Sequence, residues 1–319
     1  MVEHMQDIRK LYRPLQAHLL RLDLRELLRL IWIAQLQTGE SGVWDVRTAT
    51  GSIGSIFYWD LMVLSREALV NSTPIRRQLP TMADLLKLAN RVRSIEESIS
   101  RQTIASGDDA LKAMHALVHQ QARWQHTREW DRMYRAYRIY SHSELQPFLE
   151  RAIGMRLSSA WTLALAIAGG ANRSDVISSR DDYRVIGVTT EEQKRFFRLV
   201  GAHRCRIKRR LESSRRMDAG WARSWNALEA TPLVRLHTER LWEYLCPMPS
   251  LLLSRFSEGL FYDLVEGKES FGKFIRPRLR VVRRRGSACP VRSSDSQGHS
   301  RAPLYGQEAA ETRSRLDRQ

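Results

Sequence analysis

The chain has 319 residues, of which 43% are hydrophobic, and its formal net charge at pH 7 is +17. That apolar content is enough to bury at least one sizeable core, which excludes a chain that is disordered throughout. The positive charge favours polyanionic partners such as nucleic acid. It is concentrated near the end of the sequence, where residues 274–319 contain 11 Arg, no Lys and four acidic residues.

The cysteines and the apolar segments indicate the compartment of the chain. Cys205, Cys246 and Cys289 are isolated and odd in number, which fits neither a disulfide framework nor a paired zinc-binding spacing, so we expect a reducing cytoplasm. The first ten residues have mixed charge and lack the apolar core of a secretory signal. The most apolar run, residues 160–170, is about half the roughly 20 residues that cross a membrane. We predict a buried helix there and no membrane partner.

Helical periodicity dominates the N-terminal part. After Pro14, apolar residues recur in steps of four, three and four and predict a helix that ends at Gly39, carrying Leu20, Leu24, Leu27 and Ile31. Residues 39–55 are rich in Gly, Ser and Thr and predict a loop. A second apolar stripe predicts a helix with one buried face, formed by Leu85, Leu88, Val92, Ile95 and Ile99.

Further helices are predicted beyond residue 107. Residues 107–140 have the pattern of one long helix or two in close succession, in which Trp124 is expected to be buried. The spacing of capping boxes, which mark helix starts, occurs at two pairs, Ser141 with Glu144 and Thr189 with Glu192.

The last part of the body is also predicted to be helical. Thr231 and Pro232 resemble the first residues of a helix that carries Leu236, Trp242 and Leu245. The only candidate strand is YRVIGV, residues 183–188. We therefore predict an all-α, irregular multi-helix fold over residues 1–273, as one domain or two helical subdomains, with no sheet larger than a hairpin. A disordered Arg-rich tail is predicted at residues 274–319.

The sequence offers little evidence for catalysis. His115 and His119 are four residues apart on a predicted helix, but the HExxH pattern and a third ligand are absent, so core or capping histidines are favoured over a metal site. No phosphate-binding glycine loop, dinucleotide-binding turn or serine nucleophile elbow is present. We predict no catalytic residue, no metal and no cofactor.

Two basic segments are candidates for binding nucleic acid. In RMYRAYRIY, arginines and tyrosines alternate in steps of three, as Arg132, Arg135 and Arg138 with Tyr134, Tyr137 and Tyr140. Phosphate contacts and base stacking could use both residue types. The favoured interpretation is nevertheless a helix with its tyrosines in the core and its arginines in solvent, because amphipathic helices commonly show this pattern.

The second basic segment is HRCRIKRRLESSRR, residues 203–216. Its cationic residues could neutralise several phosphates, and they are Arg204, Arg206, Lys208, Arg209, Arg210, Arg215 and Arg216. A single strongly charged helix is more often a solvated face, so this remains a hypothesis beside that simpler interpretation.

Three motifs carry a resemblance to a protein family. They are YWDLMVLSREAL (58–69), HQQARWQ (119–125) followed by RAYRIYS, and SEGLFYDLVEGKESFGK (257–273). They resemble long bacterial proteins, mostly uncharacterised and some found near phage-defence genes. In those proteins a helical N-terminal half precedes a region similar to restriction endonucleases. The resemblance covers roughly residues 56–273 and implies that the present chain lacks the catalytic half.

The resemblance stops at Lys273. If the codons of FIRPRLRVVRRRGSAC, which begins at Phe274, are read one base later, they permit S-F-G-R-A-F-E-S-Y-V-G, which is similar to the continuation in the family. We therefore expect residues 274–319 to be the out-of-frame end of a truncated protein. A genuine disordered basic tail is the alternative.

These observations lead to two functional hypotheses. The first is the truncated helical regulatory or sensor half of a defence-type protein, inactive as an enzyme. The alternative is a stand-alone nucleic-acid-binding protein. Nucleic acid is the expected partner of the basic segments, and a protein partner or a second copy is the expected partner of exposed helical surfaces.

Overall fold

The computed structural model describes residues 2–47, 53–73, 78–105, 129–218, 220–236 and 240–266. These residues belong to one compact unit, Met1–Phe271. The predicted tail at residues 274–319 lies outside the described residues, as do His115, His119 and Trp124.

Helices make up 64% of the part of the chain that the structure describes. In chain order they are α1 (Val2–Leu19), α2 (Leu24–Thr38), α3 (Tyr58–Asn71), α4 (Met82–Ala105), α5 (Glu129–Tyr140), α6 (Gln146–Ile153), α7 (Leu157–Ala171), α8 (Thr190–Val200), α9 (Arg204–Ser214), α10 (Ala227–Ala230), α11 (Pro249–Arg255) and α12 (Gly259–Glu266). Short 3-10 turns span Gly39–Ser41 and Arg184–Ile186.

Two small sheets accompany the helices. An antiparallel hairpin pairs β1 (Val43–Arg47) with β2 (Ile53–Phe57). The other sheet is mixed and has the strand order β3-β6-β5-β4, with β4 parallel to β5 and the other pairs antiparallel. Its strands are β3 (Val176–Ser178), β4 (Gly201–His203), β5 (Leu233–Arg235) and β6 (Glu243–Leu245).

The core of the N-terminal half is built around α3, which contacts α1, α2, α4 and α9. Eleven of its fourteen residues are buried, and a helix that is apolar on most sides has to be enclosed by other elements. The stripe predicted on α4 is confirmed, because Leu85, Leu88, Val92, Ile95 and Ile99 are all buried.

Several helix boundaries agree with the sequence. The predicted helix is confirmed for Leu24, Leu27 and Ile31 and ends at Gly39, which adopts φ +50°, a conformation that glycine tolerates best. Its predicted first apolar residue, Leu20, instead lies in the turn between α1 and α2. Thr189 and Glu192 form the predicted capping box at the start of α8. The apolar run 160–170 lies in α7, whose Leu163 and Ala164 are fully buried.

The fold is mostly helical, as predicted, but the prediction of an all-α fold with no sheet larger than a hairpin is wrong, since a four-stranded sheet accompanies the hairpin. Residues 233–235 and 243–245 form strands where one helix was predicted, and the candidate strand at 183–188 contains a 3-10 turn instead. The strands of the mixed sheet have three residues each. Three residues are too few to display a repeat of two, so the pattern could not indicate them.

The capping box predicted at Ser141 and Glu144 is also wrong, because α6 begins only at Gln146. No single helix among the described residues has both the length and the apolar character needed to cross a membrane. One pair does meet the length and composition criteria when taken together, Gln146–Ile153 with Leu157–Ala171, but it is bent by 62°.

Candidate nucleic-acid interface

Three residues form the buried side of α5, and only one of them is a tyrosine. Met133, Ala136 and Tyr140 are 2%, 9% and 9% exposed, and α5 packs on α11. Each residue of an α-helix turns the side chain by about 100°, so steps of three and four return to the same face, whereas repeated steps of three drift around the helix. The three tyrosines therefore cannot share one buried side.

The tyrosines consequently differ in exposure. Tyr134 is 63% exposed and Tyr137 is 42% exposed. The ring of Tyr137 contacts the buried Trp161 edge-on, with 5.2 Å between ring centroids. The prediction that all three tyrosines lie in the core is thus wrong for Tyr134 and Tyr137, because the steps of three carry them away from the face that packs on α11.

Arg135 and Arg138 are exposed on the same solvent side of α5. By the helical turn of about 100° per residue, Tyr134 lies between Tyr137 and Arg138 around the helix, with Arg135 next to Arg138. Arg132 faces another direction and forms an ion pair with Glu258, at 3.3 Å between Nη1 and Oε1. We name the four residues Tyr134, Arg135, Tyr137 and Arg138 the Tyr–Arg face.

The second predicted segment divides into structural and exposed arginines. The arginine-rich helix α9 buries Ile207 and Leu211 against the core. At its start Arg204 donates to the backbone carbonyl of Ser72, and burial lowers the pKa of this guanidinium. Lys208 forms an ion pair with Glu212.

The remaining cations of this segment are more accessible. Arg206, Arg209 and Arg216 are exposed, and Arg210 is half-buried. The structure thus leaves Arg206 and Arg209 on one solvated side of α9. This agrees with the simpler interpretation, in which the charged helix presents a solvated face.

Arg215 has a structural position that the sequence did not indicate. Its guanidinium lies over the ring of Tyr12, 4.4 Å from the ring centroid, and its Nη2 is 3.6 Å from Oε2 of the buried Glu67. A cavity of about 360 Å³ lies beside it, lined in part by Arg9 and Arg13 of α1. The structure therefore brings Arg215 together with two further arginines from the N-terminus.

Sequence reasoning missed the buried polar network beneath this cavity. Glu67 accepts from Arg66 and from the Tyr12 hydroxyl, the latter at 2.6 Å, and Asn71 Nδ2 donates to the same hydroxyl. Burial, and next the Glu67 carboxylate, raise the pKa of Tyr12 well above its ordinary value. The pair Arg66–Glu67 in SREAL could have indicated this network. Ionic residues in a helix that is apolar on most sides have to be buried together.

Comparisons with known proteins give no family assignment: no family model, no curated protein and no solved structure matches the chain. The resemblance to the defence-associated bacterial proteins therefore remains a prediction. Within the described residues, no group of three or more His, Cys, Asp or Glu side chains is arranged to hold a metal ion.

Proposed function

We propose that the helical body binds single-stranded nucleic acid through the Tyr–Arg face of α5. The observation that supports this best is that Tyr134 is 63% exposed and lies beside the exposed Arg135 and Arg138. Large aromatic rings usually bury their apolar surface, so an accessible tyrosine next to arginines offers a surface to stack on. A base supplies a flat ring, and its phosphates supply charges for Arg135 and Arg138.

The energetics of such a surface are favourable for single strands. Stacking of one base on one aromatic ring contributes about 1–3 kcal/mol, and it tolerates any base because each has a π-face. The formal net charge of +17 adds long-range attraction for a polyanion. The exposed Arg206 and Arg209 of α9 are further candidates for phosphate contacts.

The proposal gives the chain a binding role and no catalytic one. It fits the sensor half of a longer defence-type protein, and it fits a stand-alone binder equally well. The DNA sequence around the codon of Lys273 separates these settings. An open plus-one frame that continues for several hundred codons favours the sensor half, and its absence favours the stand-alone binder.

A binding titration with the full chain tests the proposal. A fluorescent single-stranded oligonucleotide is titrated at several salt concentrations with wild type, with Arg135→Ala/Arg138→Ala, and with Arg47→Ala/Arg173→Ala. Both double variants lose the same charge, but the second removes exposed arginines from other elements. The α5 variant should bind more weakly, with a salt dependence shallower by about 0.7 per lost phosphate contact. Equal losses in both variants would mean that only net charge matters.

A protein partner or a second copy is the competing occupant of the Tyr–Arg face. Self-association would appear as a concentration-dependent molecular mass in sedimentation, abolished by Tyr134→Ala. If that result occurs without any effect of the variant on nucleic-acid binding, the face belongs to a protein interface and the proposal fails.

A further inference from the structure

A second cationic cavity lies beside α1 and is lined by residues other than those of the cavity at Arg215. None of its lining residues belongs to the Tyr–Arg face. Its volume is about 400 Å³, within the range of small-ligand sites. α1 supplies His18, the turn after it supplies Arg21, and α4 supplies Asp84, Lys87 and Arg91. Its edge at Gln78 is held by backbone hydrogen bonds, from Gln78 N to Arg21 O and from Asp23 N to Gln78 O, each 3.1 Å long.

The one carboxylate among these lining residues is already engaged. Asp84 Oδ2 accepts from the backbone N and the hydroxyl of Thr81, at 2.9 and 2.7 Å. Its Oδ1 lies 3.3 Å from His18 Nε2. Burial alone would raise the pKa of Asp84, but the hydrogen bonds from Thr81 and His18 outweigh it and lower that pKa. Asp84 is therefore an ionised anchor for its neighbours rather than a free acceptor for a cation.

His18 is neutral and holds an arginine in place. Arg91 Nη1 donates to His18 Nδ1 at 3.0 Å and to the Pro14 carbonyl, also at 3.0 Å. Since Nδ1 accepts, the ring proton is on Nε2, which faces Asp84. Two acceptors thus fix the Arg91 guanidinium through one nitrogen.

The other donors of the cavity have no such partners in the described part of the chain. No hydrogen bond from Nε or Nη2 of Arg91 to a described residue is present, and neither Arg21 nor Lys87 forms an ion pair there. Lys87 and Arg91 are four residues apart, so they lie on one face of α4. The Nε–Nη2 edge of a guanidinium matches two oxygens of a phosphate in a bidentate contact.

We infer that this cavity binds a phosphate monoester, with Arg91 as the fixed bidentate donor and Lys87 and Arg21 as the flanking charges. A terminal phosphate carries about two negative charges near neutral pH, and these three cations lie beside a carboxylate that is already satisfied. The same chemistry is available from a small phosphorylated molecule or from the 5′-phosphate of a nucleic-acid strand. The inference is independent of the Tyr–Arg face.

The test measures binding of three probes to the full chain by calorimetry at constant ionic strength. The probes are adenosine monophosphate, a short oligonucleotide with a 5′-phosphate, and the same oligonucleotide with a 5′-hydroxyl. Wild type is compared with Lys87→Gln and Arg21→Gln, which change exposed side chains and should fold normally, and with Arg91→Ala. Arg47→Ala/Arg173→Ala, which removes two exposed arginines outside both proposed sites, serves as the control.

Binding of the monophosphate, weakened about tenfold or more by Lys87→Gln and unchanged in the control, supports a small-molecule site. A preference for the 5′-phosphorylated strand that disappears in Lys87→Gln and Arg21→Gln supports a strand-end site. The inference is overturned if the monophosphate does not bind and the 5′-phosphorylated strand binds no better than the hydroxyl strand, or if all cavity variants bind like wild type.

Discussion

Nη2 of Arg66 lies 2.8 Å from Oε1 of Glu67, the next residue in the chain, and both side chains are buried. Arg66 also donates to the backbone carbonyl of Ser224, at 2.8 Å, and so connects α3 to a segment more than 150 residues later. Adjacent residues on a helix normally point in different directions. The pair can meet here because the guanidinium is long enough to fold back over its neighbour while reaching Ser224.

We predict that Glu67→Ala destabilises the protein by about 3–5 kcal/mol, because removal of one partner leaves the buried Arg66 without its counter-charge. Chemical denaturation measures the change. The control is Arg101→Ala, which removes an exposed ion pair with Glu97 in α4 and should cost less than about 1 kcal/mol. A similar small cost for Glu67→Ala would show that the buried pair does not stabilise the body.

His18 should make stability depend on pH. Burial, and next the charge of Arg91, lower the pKa of His18 in the folded chain, whereas an unfolded histidine has a pKa of about 6.5. The contribution of the neutral His18 to stability is therefore fully present above about pH 6.5. It is lost as the pH falls below that value, because the unfolded chain then binds a proton that the folded chain does not.

The measurement is the free energy of unfolding at about pH 7.5 and pH 5.5, on either side of the unfolded pKa, for wild type and His18→Gln. We expect the loss at low pH to be smaller in the variant. His203, whose pKa is also lowered by burial and next by Arg235, is present in both proteins and cancels in the comparison. An identical loss in both would contradict a neutral, half-buried His18.

A glycine substitution tests the mixed sheet. A Cβ on Gly201 would lie 2.5 Å from Tyr244 Cε1 and 2.7 Å from the Phe197 carbonyl oxygen. The carbonyl belongs to α8 and cannot withdraw freely, so Gly201→Ala should cost about 1–3 kcal/mol. In Gly169→Ala the new Cβ meets nothing within 4 Å, and this helix substitution should stabilise by about 0.5–1 kcal/mol. Thermal unfolding of the two variants should shift in opposite directions, and equal shifts would argue against the close approach of Tyr244 and Phe197 to Gly201.

The helical body was predictable because its signals are local. The stripe on α4 and the capping box at Thr189 depend on residues three or four apart, which the sequence displays directly. The strands β3 to β6 depend on partners far apart in the chain, such as Val176 with Leu245. No local pattern in three residues indicates such a pairing, and for this reason the sequence of residues 233–245 predicts a helix.

The candidate site was only partly predictable for a similar reason. The sequence indicated both residue types of the Tyr–Arg face, but the face that α5 buries depends on its contact with α11. The cavity at His18 joins residues that are 66 positions apart in the chain, His18 and Asp84. Its cations could be identified only after α1 and α4 had been placed side by side.

The affinity of the full chain for a labelled single-stranded oligonucleotide of about 16 nucleotides tests base stacking on Tyr134 most directly. Wild type, Tyr134→Phe and Tyr134→Ala are compared at one salt concentration by fluorescence anisotropy. Phenylalanine keeps the ring, so its variant should bind within about twofold of wild type, whereas alanine should weaken binding about fivefold to 150-fold, corresponding to the stacking of one base. Equal affinity of the alanine variant and wild type would contradict the proposal that α5 binds nucleic acid.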